Sequence, residues 1–312
     1  MSGMMQADSP AIPLADLRLG IVGLGLMGGS LALALRGRVA DIVAVERQPD
    51  TRQLALREGV VSVAVDDLST ALPLVDLLVL AAPVRVILDT LGRLPSLLPA
   101  ECAVIDLGST KRAVVAAMDA LPPSFAAIGG HPMCGKETSG LASAAADLYR
   151  GQTFFLCRSR RTTLALEATV LALVAALGAR PVFMGAAAHD AAVAMVSHLP
   201  ALLSAALMRA AADEALWPVG ASGFRDTTRL AGSDPRMMLD ILLTNREAVL
   251  AALAGYQAEL AAVGRALELE DEAALSEWLA AAQVTYAAWR RFKSSEYLLS
   301  NREGDEETGK IA

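Results

Sequence analysis

A chain of 312 residues with 54% apolar side chains is long enough for two domains and a sizeable core. Its formal charge of −7 and pI near 5.1 argue against nucleic acid as the main partner. The three cysteines, Cys102, Cys134 and Cys157, stand at no metal-ligand spacing, so a reduced, cytoplasmic protein without a metal is expected.

Residues 1–15 are polar or turn-rich and are expected to be disordered. Arg18–Gly23 (RLGIVG) reads as a strand, and LGLMGGSLALAL after it opens a helix. Gly23, Gly25 and Gly28 make G-x-G-x-x-G at that junction, with Leu26 and Met27 between the last two. The first glycine allows the tight turn, the second lets backbone approach a pyrophosphate, and the third lets helix pack on strand. The helix N-terminus adds N–H groups and the positive end of a dipole. A second strand, Asp41–Glu46, ends in an acid 18 residues beyond Gly28. An acid near that spacing accepts a hydrogen bond from a free ribose 2′-hydroxyl and repels a 2′-phosphate, which favours NAD. Arg47 and Arg52 lie close by and make NADP the second choice. Residues 19–35 carry no charge, but a run of 17 with five glycines is shorter than the roughly 20 residues a bilayer needs. No other apolar stretch is expected to span a membrane, and Arg18 alone is not the basic flank of a signal peptide.

Asp76–Ala82 is a continuous apolar run before Pro83, the mark of a buried parallel strand. Cys102–Leu107 is another, after which Gly108, Ser109, Thr110 and Lys111 open a helix. Ser124–Gly130 leads into GGHPMCGKETSG, which sets His131 between a diglycine and a proline. That backbone is read as a turn, with the imidazole either projecting into a cleft or hydrogen-bonding its own turn. An unperturbed pKa of about 6.5 suits proton transfer near neutrality. Thr153–Cys157 and Arg180–Met184 add two strands around a helix at 163–177. In such a sheet ligands lie at the carboxyl ends of the strands, where the glycine loop, Glu46, Pro83, Ser109 and His131 all fall.

From about residue 186 the pattern is helical only. Residues 187–212 read as one apolar helix that Pro200 should kink. His189 and His198 are nine residues apart, about half a turn around an unbroken helix, so they share a pocket only if the kink helps. GFRDTTR follows, with Arg225 and Arg229 suited to gripping a carboxylate, or to pairing with Asp226 on the surface. Residues 235–267 carry an apolar helical stripe too long for one neighbour, another helix spans roughly 271–292, and 295–312 reads as a disordered tail. The expected organisation is therefore an α/β Rossmann-type nucleotide-binding domain at 16–185, followed by an all-α domain at 186–294 whose helices make a homodimer or else pack as a purely intrachain bundle.

GLGLMGGSLALAL, DLGSTK, GGHPMCGKE, SHLP and GFRDTTR, in this order, resemble the prephenate/arogenate dehydrogenase family of tyrosine biosynthesis. The resemblance covers roughly residues 17–290. It implies an NAD-dependent oxidative decarboxylation, a Rossmann-type domain and a helical dimerisation domain. It also implies roles for particular residues: His131 as catalytic histidine, Ser109 beside the nicotinamide and the substrate hydroxyl, and Arg229 and His198 on the substrate. Lys136 and Glu137 are placed to read the side chain, a keto acid favouring the lysine and an amino acid the carboxylate. The family often has histidine where this chain has Ala201, and tryptophan where it has Met238; both differences bear on prephenate against arogenate. The opening also resembles β-hydroxyacid dehydrogenases, but those use a lysine on the first interdomain helix. Residues 186–212 hold none, since the chain's lysines are Lys111, Lys136, Lys293 and Lys310. A non-catalytic NAD-binding dimer is the remaining alternative, and retention of Ser109, His131 and Arg229 together speaks against it.

Overall fold

The computed structural model describes residues 10–97 and 102–308. The chain alternates strand and helix: β1 (Arg18–Val22), α1 (Leu26–Leu35), β2 (Asp41–Val45), α2 (Pro49–Arg57), β3 (Val63–Val65), α3 (Leu68–Ala71), β4 (Leu77–Leu80), α4 (Val84–Leu97), β5 (Cys102–Asp106), α5 (Arg112–Asp119), β6 (Phe125–Pro132), β7 (Thr153–Arg158), α6 (Leu164–Ala176) and β8 (Arg180–Phe183). The eight strands form one sheet in the order β3-β2-β1-β4-β5-β6-β7-β8. All neighbours run parallel except β6 and β7. Strand order reverses between β1 and β4, which opens a ligand crevice at the carboxyl ends of those strands. Helices cover both faces, so Leu19, Ile21, Leu78, Val79, Val104 and Ile105 are wholly buried, as continuous apolar strands require. The edge strand β3 went unread because three half-buried residues give no periodicity to detect.

His131 does not sit in a turn. β6 continues through it, pairing in parallel with β5 as far as Ile105–Ile128, and antiparallel with β7 from Ile128–Arg158 to Pro132–Phe154. The diglycine is extended strand. A Cβ on Gly130 would lie 2.6 Å from the Asp106 carbonyl oxygen, so glycine serves close strand approach there and not turn formation. His131 consequently overhangs the last parallel pair by three residues, about 10 Å of strand.

Beyond the sheet come α7 (Ala186–Val193), a π-helical turn at Ala194–His198, α8 (Leu199–Ala210), α9 (Ser222–Thr228), α10 (Pro235–Thr244), α11 (Arg246–Glu268) and α12 (Glu272–Thr308). The apolar helix read at 187–212 carries a π turn, Ala194–His198, just ahead of Pro200. Contrary to the sequence expectation, Ala186–Ala210 is long and apolar enough by length and composition to cross a membrane. It nevertheless buries His189, Asp190, His198 and Ser204, each hydrogen-bonded, a pattern of helices packed in a protein core.

The chain divides into two compact units, at Val249 and Leu250. Residue 186 marks where strands give way to helices, but packing continues past it, because the Asp190 carboxylate accepts the Lys111 and Arg112 N–H groups at the start of α5. The second unit consists of α11 from Leu250 and α12. Within it Trp278 Nε1 donates to Glu259 at 2.9 Å, and Tyr286 and Trp289 stack at 5.9 Å. Parts of the ends read as disordered are described. Leu14–Asp16 forms a 3-10 turn, and the Ile12 N–H donates to Thr169. Backbone helix runs on through Thr308, in keeping with the Leu, Glu and Arg content of that stretch. Residues 1–9 and 309–312 lie outside the described part.

Candidate active site

The glycine loop has the geometry of a pyrophosphate cradle. Gly23 adopts φ 93°, and a Cβ there would meet the Ala81 carbonyl oxygen at 2.7 Å. At Gly28 a Cβ would lie 2.0 Å from the Gly23 carbonyl oxygen, so any side chain would push α1 off the loop. Gly25 caps α1 and has nothing within 4 Å of the same position. A phosphate group can therefore approach its backbone and the N–H groups of Leu26 and Met27. The Met27 carbonyl is pinned in turn by the Tyr149 hydroxyl at 2.7 Å.

Glu46 ends the neighbouring strand and is held from both sides. Its Oε2 accepts the Leu24 N–H at 3.0 Å, and its Oε1 accepts the Gln48 N–H at 2.9 Å. A carboxylate fixed at this crevice fits a ribose diol. Arg52 is occupied elsewhere: it donates to the Glu46 and Arg47 carbonyls and pairs with Asp66. Pro83 is exposed at the end of β4, and its carbonyl accepts the Ile87 N–H at the start of α4.

All three histidines of the chain converge on one hydrogen-bonded network. His131 Nδ1 lies 2.9 Å from His189 Nε2, and His189 Nδ1 lies 2.8 Å from Asp190 Oδ1. Asn245, at the break between α10 and α11, donates from Nδ2 to the Asp190 carbonyl at 2.8 Å and reaches His198 Nδ1 at 3.2 Å. The Asn245 amide nitrogen can only donate, so His198 Nδ1 accepts and its Nε2 carries the proton. The π turn brings both helical histidines to the same network, which an unbroken α-helix would not do. His131 is half-buried. Burial holds its pKa well below the usual histidine range, and the Lys111 ammonium, His189 and His198 add to the effect. Burial likewise brings His198 to about 4, against the opposing pull of Asp190.

Beneath this network lies a buried ion pair. Lys111 Nζ donates to Asp106 Oδ2, both side chains being wholly buried. Asp106 also accepts the Gly108 N–H at 2.7 Å and the Gly130 N–H at 3.2 Å. Burial pushes the Asp106 carboxyl up and the Lys111 ammonium offsets it. Asp106 thereby ties the loop carrying Ser109 to the strand carrying His131. Ser109 is half-buried between Gly108 and Thr110, whose hydroxyl bonds Thr244 at 2.9 Å.

The remaining expected residues lie on the exposed side. Arg229, just after α9, donates to Glu137 at 2.7 Å, an ion pair linking the loop beyond His131 to the GFRDTTR segment. Among the described residues Arg225 pairs only with its neighbour Asp226, and Lys136 donates to the Ser143 carbonyl at 3.1 Å. Sequence reasoning gave no role to His189, Asp190, Asn245 or the Lys111–Asp106 pair. The adjacent His189 and Asp190 at a helix start, in a chain so poor in histidine, were the one signal that pointed to them.

A dinucleotide crevice with a half-buried, uncharged histidine at the carboxyl edge of its sheet defines an NAD-type dehydrogenase. The sequence model described as prephenate dehydrogenase, nucleotide-binding domain, matches residues 30–183. That described as prephenate dehydrogenase, dimerization domain, matches residues 185–281. Together they span most of the chain, which belongs to the prephenate dehydrogenase family. A prephenate dehydrogenase of Bacillus subtilis (strain 168) is 32% identical over 80% of this chain and 70% of its own length. The structure resembles prephenate dehydrogenase from A. aeolicus, solved with hydroxyphenyl propionate and NAD+. The TM-score is 0.82 and the identity 29%, over 88% of this chain and 99% of that one. It also resembles arogenate dehydrogenase of Synechocystis, with a TM-score of 0.75 and 31% identity over 88% and 100% of the two chains.

Proposed function

We propose that the chain is an NAD-dependent dehydrogenase of tyrosine biosynthesis. It converts prephenate to 4-hydroxyphenylpyruvate, arogenate to tyrosine, or both, with His131 as the base. One observation carries this assignment of the base: a half-buried imidazole, kept uncharged by its surroundings, overhangs the carboxyl edge of a sheet whose glycine loop fits a pyrophosphate. When bound, the nicotinamide supplies the acceptor for the hydride leaving the hydroxyl-bearing ring carbon, while the ring carboxylate departs as CO2 and the ring becomes aromatic. Aromatisation drives the step, so the protein need only orient the ring and take the hydroxyl proton. His131 takes that proton at Nε2, and the Ser109 hydroxyl holds the same substrate oxygen. Arg229 exchanges its Glu137 partner for a substrate carboxylate, and the His198 Nε2–H donates to the substrate. Lys136 and Glu137 read the side chain. Glu46 favours NAD over NADP, with Arg52 already engaged. The protein works in the cytoplasm as a homodimer, and neither nucleic acid nor a membrane is a partner.

The test is an assay of purified protein with NAD+ and either prephenate or arogenate, read as NADH absorbance. Replacing His131 by Asn keeps size and one hydrogen bond but removes the base, so kcat should fall about 100- to 10,000-fold with NAD+ affinity unchanged. Near-normal turnover in that variant would sink the assignment.

A further inference from the structure

We propose that His189 is a positioning residue that dictates which nitrogen of His131 is basic, leaving Nε2 as its only lone pair. The inference rests on the reading of His131 as the base and explains how that base is kept ready. Asp190 sets the direction of the hydrogen bonds. Its Oδ1 accepts the Lys111 N–H at 2.7 Å and its Oδ2 accepts the Arg112 N–H at 2.9 Å. Backbone N–H groups only donate, so this carboxylate acts as an acceptor, and His189 Nδ1 at 2.8 Å must carry the proton between them. His189 is wholly buried, packed edge-on against Phe155 at 5.4 Å. In its neutral ring Nε2 then accepts. His131 Nδ1, 2.9 Å away, has to donate, and a neutral His131 keeps its lone pair on Nε2. His131 Nε2 has no hydrogen-bond partner among the described residues, so that lone pair stays available to a substrate hydroxyl.

Any other arrangement sets two lone pairs or two protons face to face, unless His189 is charged. The Asp106 carboxylate nearby is already paired with Lys111. When the substrate proton arrives at His131 Nε2, no further transfer is required. The Nδ1–H toward His189 simply becomes a charge-assisted donor. The arrangement is a carboxylate–imidazole–imidazole chain that orients a base, as a third group orients the base in hydrolytic triads.

With only three histidines in the chain, imidazole nitrogen NMR of the histidine-labelled protein near pH 7.5 reads each proton directly. The expected spectrum has His131 and His189 protonated at Nδ1 alone, with His189→Gln and His131→Asn providing the assignments. His131 protonated at Nε2, or a doubly protonated His189, would overturn the proposal. In kinetics, His189→Gln offers a carbonyl to the His131 Nδ1–H, whereas His189→Leu offers nothing. The leucine variant should lose on the order of 100-fold in kcat with substrate KM held within about threefold, and glutamine should recover about tenfold of that loss. Equal kcat in the two variants, or an effect confined to KM, also overturns it. Should the leucine variant fail to fold, the spectrum of the unaltered protein decides alone. His131→Asn run beside them separates the two ideas. If it is inactive while His189→Leu turns over normally, only this inference fails; if it is itself active, the proposed base fails.

Discussion

At the residue scale the site depends on burial acting on ionisable groups. The proposed base must be unprotonated to work, and His131 is held below the ordinary histidine range. Turnover should therefore stay level through neutral pH and fall only on the acid side of about 6.5. Stability follows the same sign. His198 protonates near 4 in the fold and near 6.5 when unfolded. Between those values the unfolded chain binds more protons, so stability is fully present above about 6.5 and declines as pH falls toward 4. Urea midpoints at pH 7.5, 6 and 5 should descend in that order, and a midpoint rising toward pH 5 would contradict the assignment. Arg229 and Arg225 make a second residue-scale contrast. Arg229 is already paired with a carboxylate across two segments, whereas Arg225 pairs with its sequence neighbour. For a site open to solvent, Arg229→Ala should raise substrate KM on the order of 100-fold, NAD+ KM hardly moving, with Arg225→Ala much milder. If Arg225→Ala is the more damaging, the roles within the segment are reversed.

At the scale of elements, the diglycine in β6 is a packing device. Asp106 reaches Gly130 through its side chain, while its carbonyl leaves no room for a Cβ. Gly130→Ala should destabilise the protein by about 1–3 kcal/mol, because backbone and not a flexible side chain must move. Gly92, inside α4 with nothing within 4 Å of an added Cβ, is the control. Alanine there should stabilise by about 0.5–1 kcal/mol through helix propensity. Thermal melting of the two variants checks both signs. The π turn before Pro200 is the matching device among the helices, since it lets His189 and His198 serve one network.

For the whole molecule, the second unit leaves Leu260, Trp278, Leu279, Tyr286, Trp289 and Phe292 exposed, more apolar surface than a lone helical pair normally shows to water. A dimer should appear in light scattering at twice the 32.5 kDa chain mass, and Trp289→Glu should shift it toward the single chain. A protein that runs as one chain at micromolar concentration would rule out the dimer.

The local grammar of the chain determined most of the architecture. Branched apolar runs ending in glycine, proline or an acid set β1, β2, β4 and β5, and the spacing of Gly23, Gly25, Gly28 and Glu46 marked the dinucleotide crevice. That information is local: each signal depends on a strand and the turn just after it. The family resemblance supplied the roles given to His131, Ser109, Arg229 and His198. Sequence reasoning misjudged the backbone at His131, because an antiparallel partner well downstream, Thr153–Arg158, decides whether a diglycine is strand or turn. It also passed over His189, Asp190 and Asn245, whose roles arise only when α5, α7 and the α10–α11 break meet. Hydrogen-bond direction in a buried network is a property of the assembled partners, and no spacing in one segment encodes it.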